Sequence, residues 1–517
     1  MIRMLGRAAL VAGLLTSAVF LAPGTAVAGK SDDTLVVAFQ RSIDNLDRLF
    51  TVRREMLILS QLTDDGLFYA DPKTLKYIPL AAKSYKYIDP TTLDVVIRDG
   101  VKFHNGGTLN ADDVVYTYNL VLDKNFKTVQ DKRVQRWLKS VTKTGPMSVR
   151  FKLKHPYPMA LRDMAVSVQL RKKGTYDTKD PKKPNPDSQV AALNSNGPYK
   201  VVKFEPGKDV VLERFDGYYK DSPKGRPAIK RIVIRAIPDW GTQQAELLSG
   251  GVNWMYDVPS DVAQNIGKLS QVKALNGPSM RVFWLSMDAA GYTGKDNPFT
   301  KLDVRRAMNY AINREAIVKN IVKGTSQVIY SACNPVQFGC YQGVPKYKYD
   351  PAKAKKLLKA AGYPHGFTFD LWAYRERPVA EAIMADLAKV GITAKLRYVT
   401  SSALSRARKS HEVPVYFASW GSGSTADTSM IADQHWSMTT DRNLSGDKEV
   451  AKLVLAADAT IDPKARAEDY KKALTRIADK AYWVPLFSGT LDYLVSSDLA
   501  FTPPKDGLPR LYLAHWK

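Results

Sequence analysis

The sequence predicts an α/β protein on three observations. Short apolar runs rich in Val, Ile and Phe alternate with longer amphipathic stripes along the chain. Cap and turn residues punctuate the boundaries between them. At 517 residues the chain exceeds what one core supports, which argues for two to four lobes. With 45% hydrophobic and 25% charged residues it can build a large core, and no internal repeat is present.

The elements follow in order. DTLVVAF (33–39) is an apolar strand ending in polar Gln40, Arg41 and Ser42. RREMLILSQLTDDGLFYAD (53–71) predicts a helix running into a loop. Residues 91–106 alternate as a strand and then show Asp-Gly and Asn-Gly turns, the pattern of a hairpin-rich segment. Asn110 to Asp113 caps an amphipathic helix, VVYTYNLVLD, with Asp112 and Asp113 favouring its dipole. Val149 to Leu153 returns to strand. Residues 195–215 read as two strands joined at Pro206-Gly207, followed by the strand IKRIVIRAIPD and the helix TQQAELLSGG, closed by glycine. VFWLSMD (282–288) is a strand, and residues 300–324 hold two helical stripes. Thr300-x-x-Asp303 resembles a capping box for the first stripe, and Asn313 caps the second. A helix at 350–363 begins at Pro351 and ends at Gly362. The strand FTFDLWAY, the helix RPVAEAIMADLAKVGI and the strands AKLRYV and PVYFASW precede the loop 421–430. A helix near 464–481 and the strand VPLFSGTLDYLV close the chain before a polar tail.

Residues 1–28 form a different kind of sequence. Arg3 and Arg7 precede an apolar run (8–22), and Ala26-Val27-Ala28 offers a small-residue cleavage site. The run is shorter than the roughly 20 residues of a spanning helix, and Pro23-Gly24 breaks it. The expectation is a signal peptide cleaved after Ala28, freeing the protein into the periplasm. No cysteine lies near that junction, so no lipid anchor is expected. The two cysteines, Cys333 and Cys340, are expected to form a disulfide in an exported chain. So short a ring stabilises by about 2.5 kcal/mol in the loop-entropy account. The formal net charge is +25. The basic residues are dispersed, and the densest run, 171–187, is interleaved with Pro, Gly and Asp as a solvated loop. With export, this excludes nucleic acid as a partner and leaves anionic membranes or acidic ligands.

No constellation for catalysis is found. The histidines at 104, 155, 365, 411, 435 and 515 are scattered without metal-binding spacing, no G-x-S-x-G elbow exists, and the loop after Trp420 lacks the lysine of a phosphate-binding loop. No metal, cofactor or catalytic residue is expected, and a secreted hydrolase is the disfavoured alternative.

Four ordered blocks carry a resemblance. LAAKSYKYIDPTTLDVVIRDGVKFHNGGTLNADDVVYTYN (80–119), SNGPYKVVKF (195–204), DVRRAMNYAINREAIVKNIVKG (303–324) and YDPAKAKKLLKAAGYPHGF (349–367) resemble the extracellular solute-binding proteins of family 5. These are the dipeptide-, oligopeptide- and nickel-binding components of ABC importers. The resemblance implies a bilobed clamshell, the periplasmic-binding-protein fold, with an extra inserted domain. Mapped by block order, domain I comprises 29–75, 195–285 and 488–517, domain II is an insertion over 76–194, and domain III, the second lobe, spans 286–487. It further implies a monomer that captures a peptide or peptide-like solute between the lobes and delivers it to permease subunits in the inner membrane. A nickel or metal-chelate ligand is the alternative.

In the family a tryptophan packs on the ligand, and an aspartate three residues later captures a peptide amine. Trp420 matches the tryptophan, whereas the aspartate position is Gly423. The candidate ligand residues are therefore Trp420, Gly421, Ser422, Gly423 and Ser424 of this loop. Gln40 and Arg41 end the first strand, either at the ligand or in an ordinary turn. Arg54 meets either a ligand carboxylate or an acid such as Glu55 or Asp64. Trp372 and Tyr374 share one strand face, cleft or core. Asn196 lies near the hinge or serves the turn at Gly197-Pro198.

Overall fold

A computed structural model describes residues 29–177 and 194–517. The leader read in residues 1–28 and part of the basic loop at 171–187 lie outside the described residues. The chain is α/β, as expected, and is organised around one mixed sheet of ten strands. One half of the sheet holds Tyr199–Phe204, Val210–Arg214, Arg231–Ala236, Thr34–Phe39 and Trp254–Tyr256. The other half holds Val415–Trp420, Thr368–Ala373 and Thr393–Tyr398. Two long antiparallel strands, Val272–Met287 and Trp483–Ser496, lie between the halves and belong to both.

The strand residues explain their places. Thr34–Phe39 runs parallel to a neighbour on each side, and all six of its residues are buried, which is why it reads as an unbroken apolar run. In the long strand, Val282 and Trp284 enter one core, while Phe283, Leu285 and Met287 enter another. This period of two covers both faces of the sheet in the second lobe. A separate four-stranded antiparallel sheet joins Ala82–Asp89, Thr92–Ile97, Ser148–Leu153 and Leu138–Gly145. The helix Ala111–Leu122 flanks it, capped as expected: Asn110 accepts from the backbone of Asp112 and Asp113, and Asp113 accepts from Asn110.

Several local readings differ from the structure. The Thr300-x-x-Asp303 box does not form; Asn297 caps a single turn at Pro298–Thr300, and the helix Leu302–Ala311 starts after Lys301 with no side-chain cap. Asn313 does cap Arg314–Ile317, which continues as a wider π-helical turn over Val318–Val322. The strand seen in VFWLSMD begins ten residues earlier, at Val272.

Buried ion pairs join separate parts of the chain. Arg171, fully buried, donates to Asp47 at 2.8 Å and to Asp64 at 2.6 Å. Tyr176 also donates to Asp47, and the Ser195 hydroxyl donates to Asp64 at 2.7 Å. Beside it, Asp65 receives Lys224 at 2.6 Å and the hydroxyls of Tyr218 and Tyr219 at 2.8 Å each. Among the described residues no helix is long and apolar enough to cross a membrane.

Cys333 and Cys340 form a disulfide. Its short ring braces two other segments. Phe338 exchanges backbone bonds with Ala426 and Thr428, Gln337 donates to the carbonyls of Thr425 and Asp427, and Asn334 donates to that of Ser279.

Arg171→Met should cost about 3–5 kcal/mol, because it strands two buried carboxylates; the shift in denaturant midpoint measures it. Replacing both cysteines with serine should cost about 2.5 kcal/mol on the same assay.

Candidate functional site

The ladder between the two long strands shifts register at two places, and the wider break comes first. Pro278 faces Thr490 and Val282 faces Ser488, so Ser279, Met280 and Arg281 together stand opposite the single residue Gly489. A Cβ on Gly489 would lie 3.0 Å from the Ser279 hydroxyl and 3.1 Å from Arg281 Cβ, so the crowding favours glycine there. The bulge turns these three residues into a cavity of about 340 Å³.

Other elements complete its wall. Gln40 and Arg41 arrive from the end of the first strand, and Arg54 and Glu55 from the first turn of the helix Arg54–Thr63. Tyr256 and Asp257 come from the end of a short strand, with Asp257 held at a left-handed φ of 56°. Arg375 follows the strand Thr368–Ala373, and Gly421 and Ser424 follow Val415–Trp420. Five sequence-predicted residues are thus brought together: Gln40, Arg41, Arg54, Gly421 and Ser424.

The cavity is rich in cations, and two of them, Arg54 and Arg281, face no carboxylate, while Arg375 lies 3.6 Å from Glu376. Arg281 and Arg375 both donate to the Ser419 hydroxyl, at 2.8 and 3.0 Å. Arg54 donates to the Ser424 hydroxyl at 2.7 Å and to the Gly507 carbonyl, so neither Glu55 nor Asp64 takes it as a salt bridge. Burial, and then the neighbouring Arg375 guanidinium, push Arg281 down to about 10. A positive charge disfavoured in this way is a standing demand for an anion.

The loop after Trp420 is unusual in its backbone. Ser422, Gly423 and Ser424 are all left-handed, with φ of 50°, 55° and 59°. Each serine there costs about 1–2 kcal/mol. Contacts to the facing segments hold the turn: Arg54 to Ser424, and Arg162 to Thr425 at 3.2 Å. Arg136, on the helix Asp131–Trp137, and Asp433, on the helix Ser429–Trp436, add an ion pair at 3.1 Å.

The remaining candidates lie elsewhere. Trp420 lines a second cavity, about 290 Å³, with Arg133, Arg136, Tyr157 and Asp433. Its indole donates to the Met430 carbonyl at 2.9 Å, and Arg442 sits 5.0 Å from its ring. Ser422 is buried, and Gly423 borders a narrow cleft beside Asp64 and Lys224. Trp372 packs against the second-lobe core, and Tyr374 donates to the Ser419 carbonyl at 3.4 Å without lining the main cavity. Asn196 is fully buried, away from the main cavity wall, and its side chain accepts from the Asp65 backbone at 2.9 Å.

Asp427 is also accounted for, since Arg466 grips both its oxygens at 3.0 and 3.1 Å. His435 packs against Trp284, Trp420 and Trp483, and burial pushes it well below the usual imidazole range. Among the described residues no three His, Cys, Asp or Glu side chains gather as metal ligands.

Sequence reasoning missed Glu55, Tyr256, Asp257, Ser279, Met280, Arg281, Arg375 and Leu491 on the main cavity. One signal was present: Gly277-Pro278 followed by Arg281 at the mouth of a strand whose next residues are apolar.

Comparison with known proteins identifies the family. The family described as bacterial extracellular solute-binding proteins, family 5 Middle, matches residues 76–442. The glutathione-binding protein GsiB of Salmonella paratyphi A is 28% identical over 447 residues, covering 81% of this chain and 82% of that protein. A dipeptide-binding protein of Escherichia coli K12 is 28% identical over 442 residues, covering 79% and 80%. The structure of the ABC transporter substrate-binding protein CtaP from Listeria monocytogenes superposes with a TM-score of 0.81 at 22% identity, over 93% of this chain and 99% of that one. The chain therefore belongs to the bacterial extracellular solute-binding proteins of family 5, and its architecture is the bilobed fold of that family with an inserted unit.

Proposed function

We propose that this protein is the substrate-binding component of an ABC importer, holding a peptide or peptide-like solute between its lobes and handing it to a membrane permease. One observation carries the reading: the cavity opens where the strands shared by both lobes lose their pairing, and the guanidiniums of Arg54 and Arg281 face it without a carboxylate partner. A site of this kind binds an anion without covalent chemistry. Glutathione and dipeptides, the ligands in the names of two relatives, both carry carboxylates.

In this reading Arg281 and Arg375 anchor the ligand carboxylate, with Ser419 orienting both. Gln40, Arg41, Arg54, Gly421 and Ser424 complete the contact, and Trp420 walls the adjoining cavity. Domain I comprises 29–75, 195–285 and 488–517, domain II 76–194, and domain III 286–487. Residues 1–28 are a leader cleaved after Ala28, without a lipid anchor, which puts a monomer in the periplasm beside its permease.

Native mass spectrometry of protein purified from its host should reveal a co-purified small anionic or zwitterionic solute. Arg281→Ala should weaken binding of alanyl-leucine roughly 30-fold or more, and binding of its C-terminal amide far less. Equal losses on both peptides, read by calorimetric titration, would remove Arg281 as the carboxylate anchor.

A further inference from the structure

We propose that Glu55 receives the ligand's ammonium group, so that the site selects a solute carrying a free amine together with its carboxylate. This rests on the peptide reading above. Acids within reach of the cavity are few. Asp427 follows the ligand loop closely in sequence but is spent on Arg466. Of the two acids on the wall, Asp257 is exposed to water, whereas Glu55 is only 6% exposed.

Glu55 Oε2 is buried with no hydrogen-bond partner. A carboxylate taken out of water and left without a donor is a costly arrangement, and it is retained where something else supplies the donor. Its place in the first turn of a helix suits a negative charge. That explains an acid there, not its burial, for it caps no backbone group, and the N-cap residue Arg53 makes no side-chain cap either. Nor do the arginines of the wall neutralise it: Arg54 turns to Ser424 and Gly507, and Arg281 and Arg375 converge on Ser419. The cavity thus keeps an unpartnered carboxylate oxygen beside two guanidiniums, Arg54 and Arg281, that face no carboxylate. A zwitterion satisfies both; a simple anion satisfies only one. Glu55 lies on the first lobe and Arg375 on the second, so a ligand spanning them also bridges the lobes.

The test uses the full mature chain and two probes, alanyl-leucine and glutathione, each with its N-acetylated counterpart, in calorimetric titrations. Wild-type protein should bind a free-amine probe roughly 30-fold or more tightly than the acetylated one. Glu55→Gln should lose that preference, binding the free amine more weakly and the acetylated probe within a few-fold of wild type. Asp257→Asn should keep the preference. Wild-type protein that ignores acetylation overturns the proposal, and this arm needs no variant to fold. Equal losses of Glu55→Gln on both forms, or loss of preference in Asp257→Asn instead, also overturn it. Failure of wild type to bind either free-amine probe overturns the peptide reading, and the Glu55 assignment with it.

Discussion

Two strands carry one sheet through both lobes, and their ladder is broken for three residues. The rest of the molecule is arranged around that interruption. A paired ladder would bury its edges and leave no room for a ligand. A missing ladder would leave the lobes as separate bodies. By opening at Ser279 to Arg281 and pairing again from Val282, the strands keep the lobes in one sheet and still present side chains and backbone groups at their junction. The tight approach of Gly489 to the bulge is part of the same constraint, since any side chain there would press on the residues that line the cavity.

Electrostatics divides the molecule into settled and unsettled regions. Arg171, Lys224 and Arg466 are buried, yet each faces carboxylates at hydrogen-bonding distance. Such pairs add little net stability but are expensive to break. In the cavity the pattern inverts. Arg54 and Arg281 rest on hydroxyl and carbonyl oxygens alone, and Glu55 keeps an oxygen with no partner. Charges left unpaired in this way mark where binding energy can be gained, because the ligand removes a cost that the fold already carries.

What the sequence disclosed follows the range of the interactions. Asn110, Asn313, Pro351 and Gly362 act on residues a few positions away, so their caps and stops were legible. The apolar alternation of residues 282–287 was legible for the same reason. Its continuation back to Val272 was not, because Gly277-Pro278 looks like an ending and only pairing with Trp483–Ser496 carries the strand through. The box at Thr300 failed because Asn297, three residues earlier, caps the preceding turn. The cavity was half legible. The loop after Trp420 and the end of the first strand stood out by composition, whereas Glu55, Arg281 and Arg375 meet only in space. Trp420 itself shows the limit of motif reading: its place in the loop was clear, but the cavity it lines was not.

The disulfide ring has a mechanical consequence. It holds Ser279 through Asn334 on one side and the segment 425–428 through Gln337 and Phe338 on the other. The bulge is therefore tied through the ring to the segment that follows the left-handed loop. One short ring thus braces two walls of the cavity at once, the bulge at Ser279 and the loop that carries Ser424.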